Sequence, residues 1–418
     1  MIKALCAPLV YTGGRCVSGM AVLVEGEMIT GVTRDTDLPP GADIERHEGC
    51  TLIPGLFDCH VHIEDWMLPL LLSYGVTTAR DMSNEPRYIF SRREMMKKPT
   101  AAGPNILCCG PGLDGYPYVH EYITWAMRCH TDIDDAVALL ERNNVDFIKL
   151  YVNLDDEMAA HIVRECVKRG IHTAAHFQGG LKAADAIRLG VNEIEHLHEA
   201  PAGFDGSFIE AIVKSGTWVC PTQTVWESFF ICGEHGDRYK QGFCHVPPGN
   251  IRTHLLRYAE AGKDEEQRMI RQRFKERQRE YLTALIGAGG KIIAGTDTPC
   301  QMALPGVSLI DELVIYTQCG MSCAQAIASA TCVPARLHNV NAGAIERGKR
   351  ADIAAVCGNP LDDIQALYNV KTVYKSGRRY ESGALRQTDT ASVISGCLPE
   401  VDKPAEICED WRALYEFA

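Results

Sequence analysis

Six side chains suited to chemistry recur along the 418-residue chain. His60 and His62 lie two apart in PGLFDCHVHIED. Residues i and i+2 of a strand share a face, so two imidazoles there can grip one cation from the same side. Taken alone, the pair also fits two unrelated polar residues at a strand end. Lys149 interrupts the apolar run DFIKLYV. An ammonium is costly to bury in such a run, which leaves an amine that reaches solvent or one that gives up its charge. A neutral amine can add CO2, and the resulting carbamate is an anion with two oxygens that can bridge two cations. Arginine, which keeps its proton, cannot do this. His176 stands near the end of IHTAAHF, His196 closes VNEIEH, and Asp297 stops the apolar stretch in IIAGTDTP. Single histidines at strand ends are more often structural, and a lone GTD is weak. The weight lies in all six falling at the same ends of their strands.

The elements that must position them form a series. Eight candidate strands are predicted: Thr51–His62, Val76–Asp81, Asn105–Cys109, Asp146–Val152, Ile171–Phe177, Glu193–His198, Thr217–Pro221 and Lys291–Asp297. Amphipathic stretches such as Met158–Arg169 and Leu181–Leu189, each followed by glycine, fit between most of them. Strands alternating with helices predict parallel βαβ units, and eight in series predict an α/β fold of the (β/α)8 TIM-like barrel type. In that fold the strand C-termini form the catalytic mouth, where the six side chains fall. Residues 1–53 read differently. MAVLVEGEMITGVT predicts two strands around the turn Gly26-Glu27, and ADIAAVCGN and VKTVYKSGRRY near the other terminus are also strand-like. The expectation is a small β-sandwich domain built from both chain ends, 1–53 plus 345–418, beside a barrel over 54–344. A solvated helix is expected over Gly262–Glu280 and a last helix around Glu409–Phe417.

Composition narrows the function classes. With 46% hydrophobic and 23% charged residues the chain can bury a large core. Its 42 basic and 54 acidic residues give a net charge of −12, which disfavours phosphate backbones, so no nucleic-acid partner is expected. No apolar run is long enough for a transmembrane helix and no secretory pattern opens the chain, so the expectation is a cytoplasmic protein with no membrane partner. The 18 cysteines form no regular framework; Cys16, Cys166, Cys220 and Cys357, set in apolar runs, are expected to be reduced core residues.

The whole pattern resembles the amidohydrolase superfamily of metal-dependent hydrolases, in its binuclear, carboxylated-lysine form. The resemblance runs through TLIPGLFDCHVHIED, GVTTARD, AAHFQG, IEHLHE and AGTDTP. It continues in the helical segment ELVIYTQCGMSCAQAIASATCVPARLHNV and the return GAIERGKRADIAAVCGNPLDDI. The branch it is most similar to is imidazolonepropionase-like and prolidase-like, with Xaa-Pro and Xaa-Arg dipeptidases and an ochratoxin-hydrolysing amidase.

The resemblance implies two divalent metal ions, Zn2+ by expectation. His60 and His62 match the histidines of one metal and His176 and His196 those of the other, with a CO2-derived carbamate on Lys149 bridging both. Asp297 matches the last ligand and proton acceptor. The reaction implied is hydrolysis of an amide bond in a small molecule, such as a dipeptide or N-acyl amino acid, through a metal-bridging hydroxide. His120 is the candidate that would polarise the substrate carbonyl, His198 a pocket or packing residue, and a homo-oligomer the implied assembly. Two departures fall where substrate would sit. Tyr151, Val152 and Asn153 replace a small Gly-Gly stretch, and Pro305-Gly306 stands where a His-Gly pair is usual. Tyr116, Tyr118, His120, Arg238, Lys240 and His245, in the loops after strands three and seven, are candidates to meet a substrate carboxylate. The alternative within the superfamily is a mononuclear deaminase or a cyclic amide or amidine hydrolase, against which Gln178 stands in place of a glutamate. A third class, a barrel that kept the fold without catalysis, would have lost ligands, and none is lost here.

Overall fold

A computed structural model describes residues 1–120, 123–176, 183–197, 204–234 and 265–387. Gln178, His198, Arg238, Lys240, His245 and the expected helix at 409–417 lie outside the described residues.

The chain opens with β1 (Lys3–Tyr11), β2 (Cys16–Glu25), β3 (Met28–Arg34), β4 (Asp43–Arg46) and β5 (Cys50–Pro54). The β2–β3 hairpin turns at Gly26-Glu27, as its sequence predicts. The run Thr51–His62, expected as one strand, is two: β5 and then β6 (Leu56–Val61). The break falls at Gly55, where a Cβ would stand 2.2 Å from Thr77 Oγ1. Only glycine permits the chain to pass that closely from one sheet to the next.

Parallel strands follow: β7 (Val76–Asp81), β8 (Asn105–Cys108), β9 (Gly112–Gly115), β10 (Thr124–Met127), β11 (Phe147–Leu150), β12 (His172–His176), β13 (Glu193–Glu195), β14 (Trp218–Cys220) and β15 (Lys291–Ile292). They form a three-stranded sheet, β6-β7-β8, and a seven-stranded one, β10-β9-β11-β12-β13-β14-β15. Hydrogen bonds join the two at both margins. Asp146 N donates to Cys108 O at 3.0 Å, and Cys59 N donates to Ala294 O at 2.9 Å. Val61 also bridges Thr298 in parallel.

Two expectations need correction here. The segment 110–125, expected as a loop, contains β9 and the start of β10, because Leu113 finds a parallel partner in Leu150. The eighth strand ends at Ile292, and Asp297 stands beyond it with a left-handed φ of 59°. Thr296 and Asp297 donate their N–H groups to His60 O instead of continuing a ladder.

Near the far end come β16 (Ile353–Cys357), β17 (Val370–Lys375) and β18 (Arg378–Glu381). β16 pairs antiparallel with β5, so both chain ends build one mixed sheet, β18-β17-β16-β5-β1-β2-β3, with β4 beside β1. The strands are linked in one continuous hydrogen-bonded sheet, and the isolated bridge between Met28 and Arg350 brings its distant parts together. Leu5, Val22, Ile29, Leu52, Ile353 and Tyr374, drawn from across it, share one apolar core. Cys166 and Cys220 are buried as expected, whereas Cys16 is exposed and Cys357 half-buried. Apolar neighbours in sequence do not decide on which side of a strand a thiol emerges.

The long charged helix runs Glu265–Gly287 and buries only its last turns, at Tyr281, Leu282 and Leu285. No helix among the described residues is long and apolar enough to cross a membrane.

Gly295 makes the tightest approach at the margin carrying the histidines. A Cβ there would lie 2.7 Å from His60 N, 2.8 Å from His60 Cβ and 2.6 Å from Cys220 Sγ. Gly295→Ala is expected to cost about 1–3 kcal/mol by overpacking. A lower urea midpoint at unchanged m-value would show it, and an unchanged midpoint would refute the close-packing account.

Candidate metal centre

The six candidate ligands come together. His60, His62, Lys149, His176, His196 and Asp297 all border one cavity of about 660 Å³, with His120 on the same wall. Their elements place them at one end of the parallel strands. His60 lies in β6, and His62 just past it; Lys149 is in β11 and His176 ends β12. His196 follows β13 with a left-handed φ of 69°, and Asp297 follows β15. Such backbone costs about 1–3 kcal/mol for a residue with a Cβ, and it persists where surrounding contacts dictate the geometry.

The rings form a chain. Centroids are 5.6 Å apart for His62 and His60, 4.7 Å for His60 and His196, and 4.5 Å for His196 and His176. The Nε2 atoms of His60 and His62 lie 3.3 and 3.2 Å from the same oxygen, Oδ1 of Asp297. Each of these three histidines has its other nitrogen engaged. His60 Nδ1 donates to Glu195 Oε2 at 2.7 Å and His62 Nδ1 to the Ser83 carbonyl at 3.2 Å. Both acceptors lack a proton to give, so Nδ1 is the donor in each bond and Nε2 is the nitrogen turned to Asp297. His196 Nδ1 bonds Thr222 Oγ1 at 2.6 Å. This is the outer support that metal-ligating histidines need.

Lys149 supplies an independent test of fit. Its side chain is 1% exposed, and its Nζ has no hydrogen-bond partner among the described residues. Burial is the largest influence on it and lowers its pKa. An unsatisfied amine at the base of an imidazole- and carboxylate-lined cavity fits a centre for divalent metal ions. Asp297 shows the opposite balance. Burial would raise its pKa, but the His60 charge and the hydrogen bonds from both histidines hold it well below the usual carboxylate range.

Sequence reasoning missed the layer beneath. Arg80 on β7 is 1% exposed and donates to Glu193 at 2.7 Å, Glu195 at 2.9 Å and the Cys59 carbonyl at 2.6 Å. Its remaining contact is His338 Nε2, at 3.1 Å. Burial holds His338 down at about 3, with Arg80 adding to the effect, so it stays neutral and accepts. Burial would raise Glu195, but Lys149, Arg80 and His60 outweigh it and keep the carboxylate ionised. Asp58, on β6 beside this layer, is wholly buried. It accepts from Thr296 Oγ1 at 2.8 Å and Thr296 N at 3.1 Å, tying β6 to the segment that carries Asp297. The available signal was alternation: Glu193 and Glu195 are charged residues two apart inside a short buried strand.

Substrate candidates fare unevenly. His120 borders the cavity, with its ring 5.7 Å from Tyr151. Tyr116 is 60% exposed beneath Arg128, and neither it nor Tyr118 borders the cavity. A run of aromatics in a loop does not say which ring turns inward. The inward aromatics are Trp66, Tyr88, Tyr151 and Trp226. Of the two departures from the superfamily pattern, Tyr151 borders the cavity and Pro305 does not.

Imidazoles, a carboxylate and a buried amine gathered at one end of parallel strands form a donor set suited to divalent metal ions. The amidohydrolase family model matches residues 51–380, and the chain belongs to that family. It is therefore a hydrolase acting on carbon–nitrogen bonds, of a family that generally binds divalent metals. Among solved structures it is similar to a Xaa-Pro dipeptidase with methionine bound in its active site, at 22% identity and a TM-score of 0.72, covering 91% of this chain and 100% of that one. It is similar to the A. niger ochratoxinase at 20% identity and a TM-score of 0.71, covering 91% and 95%. A bottromycin amidohydrolase gives 18% identity and a TM-score of 0.76, covering 94% and 91%. These likenesses show a shared fold, a TIM barrel beside a β-rich unit, with which the parallel strands and mixed sheet are consistent. No curated protein matches the chain.

The Glu195 bond yields a direct expectation. Glu195→Gln keeps a single acceptor oxygen where the carboxylate offers one to His60 Nδ1 and one to Arg80, so one of these two donors meets an NH2 group instead. Metal affinity, measured by competition with a chromophoric chelator, is expected to fall roughly ten- to a hundredfold. Unchanged affinity would mean that Glu195 does not orient the ligand.

Proposed function

We propose that this protein is a binuclear metal amidase that hydrolyses an amide bond in a small substrate, a dipeptide or an N-acyl amino acid. The observation that carries the reading is the convergence of six ligand-type side chains on one cavity, with the outer nitrogens of His60 and His62 pinned by acceptors. In this reading His60 and His62 would hold one divalent ion, Zn2+ by expectation, and His176 and His196 a second, with Asp297 and a CO2-derived carbamate on Lys149 completing the set. The parallel strands, joined by hydrogen bonds at both margins, form a closed (β/α)8 barrel, and the units are 54–344 and 1–53 plus 345–418.

When bound, the ions supply Lewis acidity and bring the pKa of water toward neutrality. The chain's own groups supply the rest. Asp297, kept ionised in the resting site, accepts a proton and delivers it to the departing amine. Tyr151 keeps its phenolic proton, since burial raises its pKa, and its ring lies 5.0 Å from that of His176. It and His120 are the donors placed to steady charge on the carbonyl oxygen. Trp66, Tyr88 and Trp226 form a wall suited to a bulky apolar side chain and exclude water around the scissile bond.

Two measurements test this. Protein purified without chelator is expected to carry two metal ions per chain, and Lys149→Ala to lose both metal and activity. A short carboxylic acid in the buffer should restore part of each. One ion with full activity would refute the binuclear centre and favour the mononuclear deaminase or cyclic amide hydrolase. For substrate class, an N-acyl amino acid is expected to exceed its C-terminal amide in kcat/KM by about ten- to a hundredfold, or roughly 1.5–3 kcal/mol for a charged contact. Equal rates would remove the carboxylate from the recognition scheme.

A further inference from the structure

Cys50 and Cys357 are direct partners in the register between β5 and β16, and their sulfurs lie 3.3 Å apart. The pairing type suits a covalent link. Gly358 N donates to Gly49 O at 2.9 Å, so the next pair along is the hydrogen-bonded one. Cys50 N turns away to His47 O. In antiparallel sheets such bonded pairs alternate with non-bonded ones, whose Cα atoms approach to about 4.5 Å. That falls within the window of about 4.4–6.8 Å that a disulfide spans, so no backbone movement is needed. The two thiols also differ in access. Cys50 is 1% exposed, whereas Cys357 is half-buried and borders a solvent-facing cavity with Asn359, Asp362, Tyr368 and Arg386.

We propose that Cys50 and Cys357 are a thiol pair that closes reversibly into a cross-strand disulfide on meeting a low-molecular-weight disulfide such as oxidised glutathione. Access sets the order of events. The Cys357 thiolate attacks one sulfur of the oxidant, forming a mixed disulfide and releasing the first glutathione thiol. Cys50 then loses its proton and attacks the Cys357 sulfur, and the second glutathione thiol leaves. Two thiol hydrogens and one electron pair pass from the protein to the oxidant, which departs as two thiols. Burial, followed by the neighbouring Cys357, raises the Cys50 thiol to about 11, which makes it the slower, resolving partner. The link would clamp the strand from one chain end to the strand from the other. β5 leads through Gly55 into β6, so the clamp sits at the root of the segment that carries His60 and His62.

The test uses the full chain. Protein treated with oxidised glutathione is alkylated in denaturant, weighed intact, and digested without reductant. The expected result is a mass two hydrogens lower at two unalkylated cysteines and a cross-linked peptide joining Cys50 to Cys357. A raised Tm that dithiothreitol reverses should accompany it, since a link closing so long a loop restricts the unfolded chain. Cys50→Ser removes the resolving thiol and is expected to retain one glutathione on Cys357, with no rise in Tm. Full alkylation of both thiols after treatment, a cross-link between other cysteines, or no adduct on Cys357 in Cys50→Ser would overturn the proposal.

Discussion

The hydrogen bond from His60 to Glu195 is the contact on which the site's geometry depends. Its 2.7 Å length fixes the imidazole from behind, and Asp297 meets the same ring from the front at 3.3 Å. Glu195 can play this part only because Arg80 stands behind it, and Arg80 only because Glu193, His338 and the Cys59 carbonyl share its other four N–H donors. A charge buried alone would cost several kcal/mol and would shed or gain a proton instead. Here Arg80, Glu193 and Glu195 occupy one dry layer in which donors meet acceptors. Such networks add little to stability against an apolar core of equal volume. What this one provides is placement: β6, β7 and β13 are held in one relation, and His60 rides on it.

Above that layer the backbone departs from regular structure where the ligands stand. His196, Thr222 and Asp297 all have left-handed φ, at 69°, 45° and 59°. Regular strands would send these side chains alternately to the two faces. A left-handed residue just past the strand breaks that alternation, and His196 and Asp297, both of this kind, border the cavity. The compensation is visible in hydrogen bonds: His196 N donates to Cys220 O, Asp297 N to His60 O, and Thr222 Oγ1 meets His196 Nδ1. Two of the candidate ligands, His196 and Asp297, thus stand on strained backbone, while the strands below them carry none at non-glycine positions.

The cavity wall shows how a shared framework can acquire its own preference. Tyr151 occupies a place where the superfamily pattern has small residues, and its ring lies between those of His120 and His176, at 5.7 and 5.0 Å. Glu64 also borders the cavity and accepts from the Trp66 indole at 2.9 Å, while Asp65 is neutralised by the Arg92 fork at 2.8 Å. The cavity thus joins polar groups held by hydrogen bonds with aromatic rings. Orientation is set by few polar groups and affinity by apolar area, the usual division in a small-molecule site.

The candidate ligands and the order of most elements were legible in the sequence alone. H-x-H, a lysine in an apolar run, histidines ending two later strands and an aspartate after another can be read from residue type and alternation, which are local properties. The family likeness follows from the same motifs and matches residues 51–380. Tertiary structure alone decided the rest. The split of Thr51–His62 at Gly55 depends on Thr77, which lies on another strand. The left-handed turns at His196 and Asp297 depend on acceptors contributed by β14 and β6. Arg80 and Glu195 are 115 residues apart, and no local pattern tells a buried ion pair from two surface charges. The same holds for Cys50 and Cys357, separated by 307 residues and brought into contact by strand register. A sequence states which groups are available. Which of them meet depends on long-range pairing, where the hydrogen bonds and buried charges of distant segments must be satisfied together.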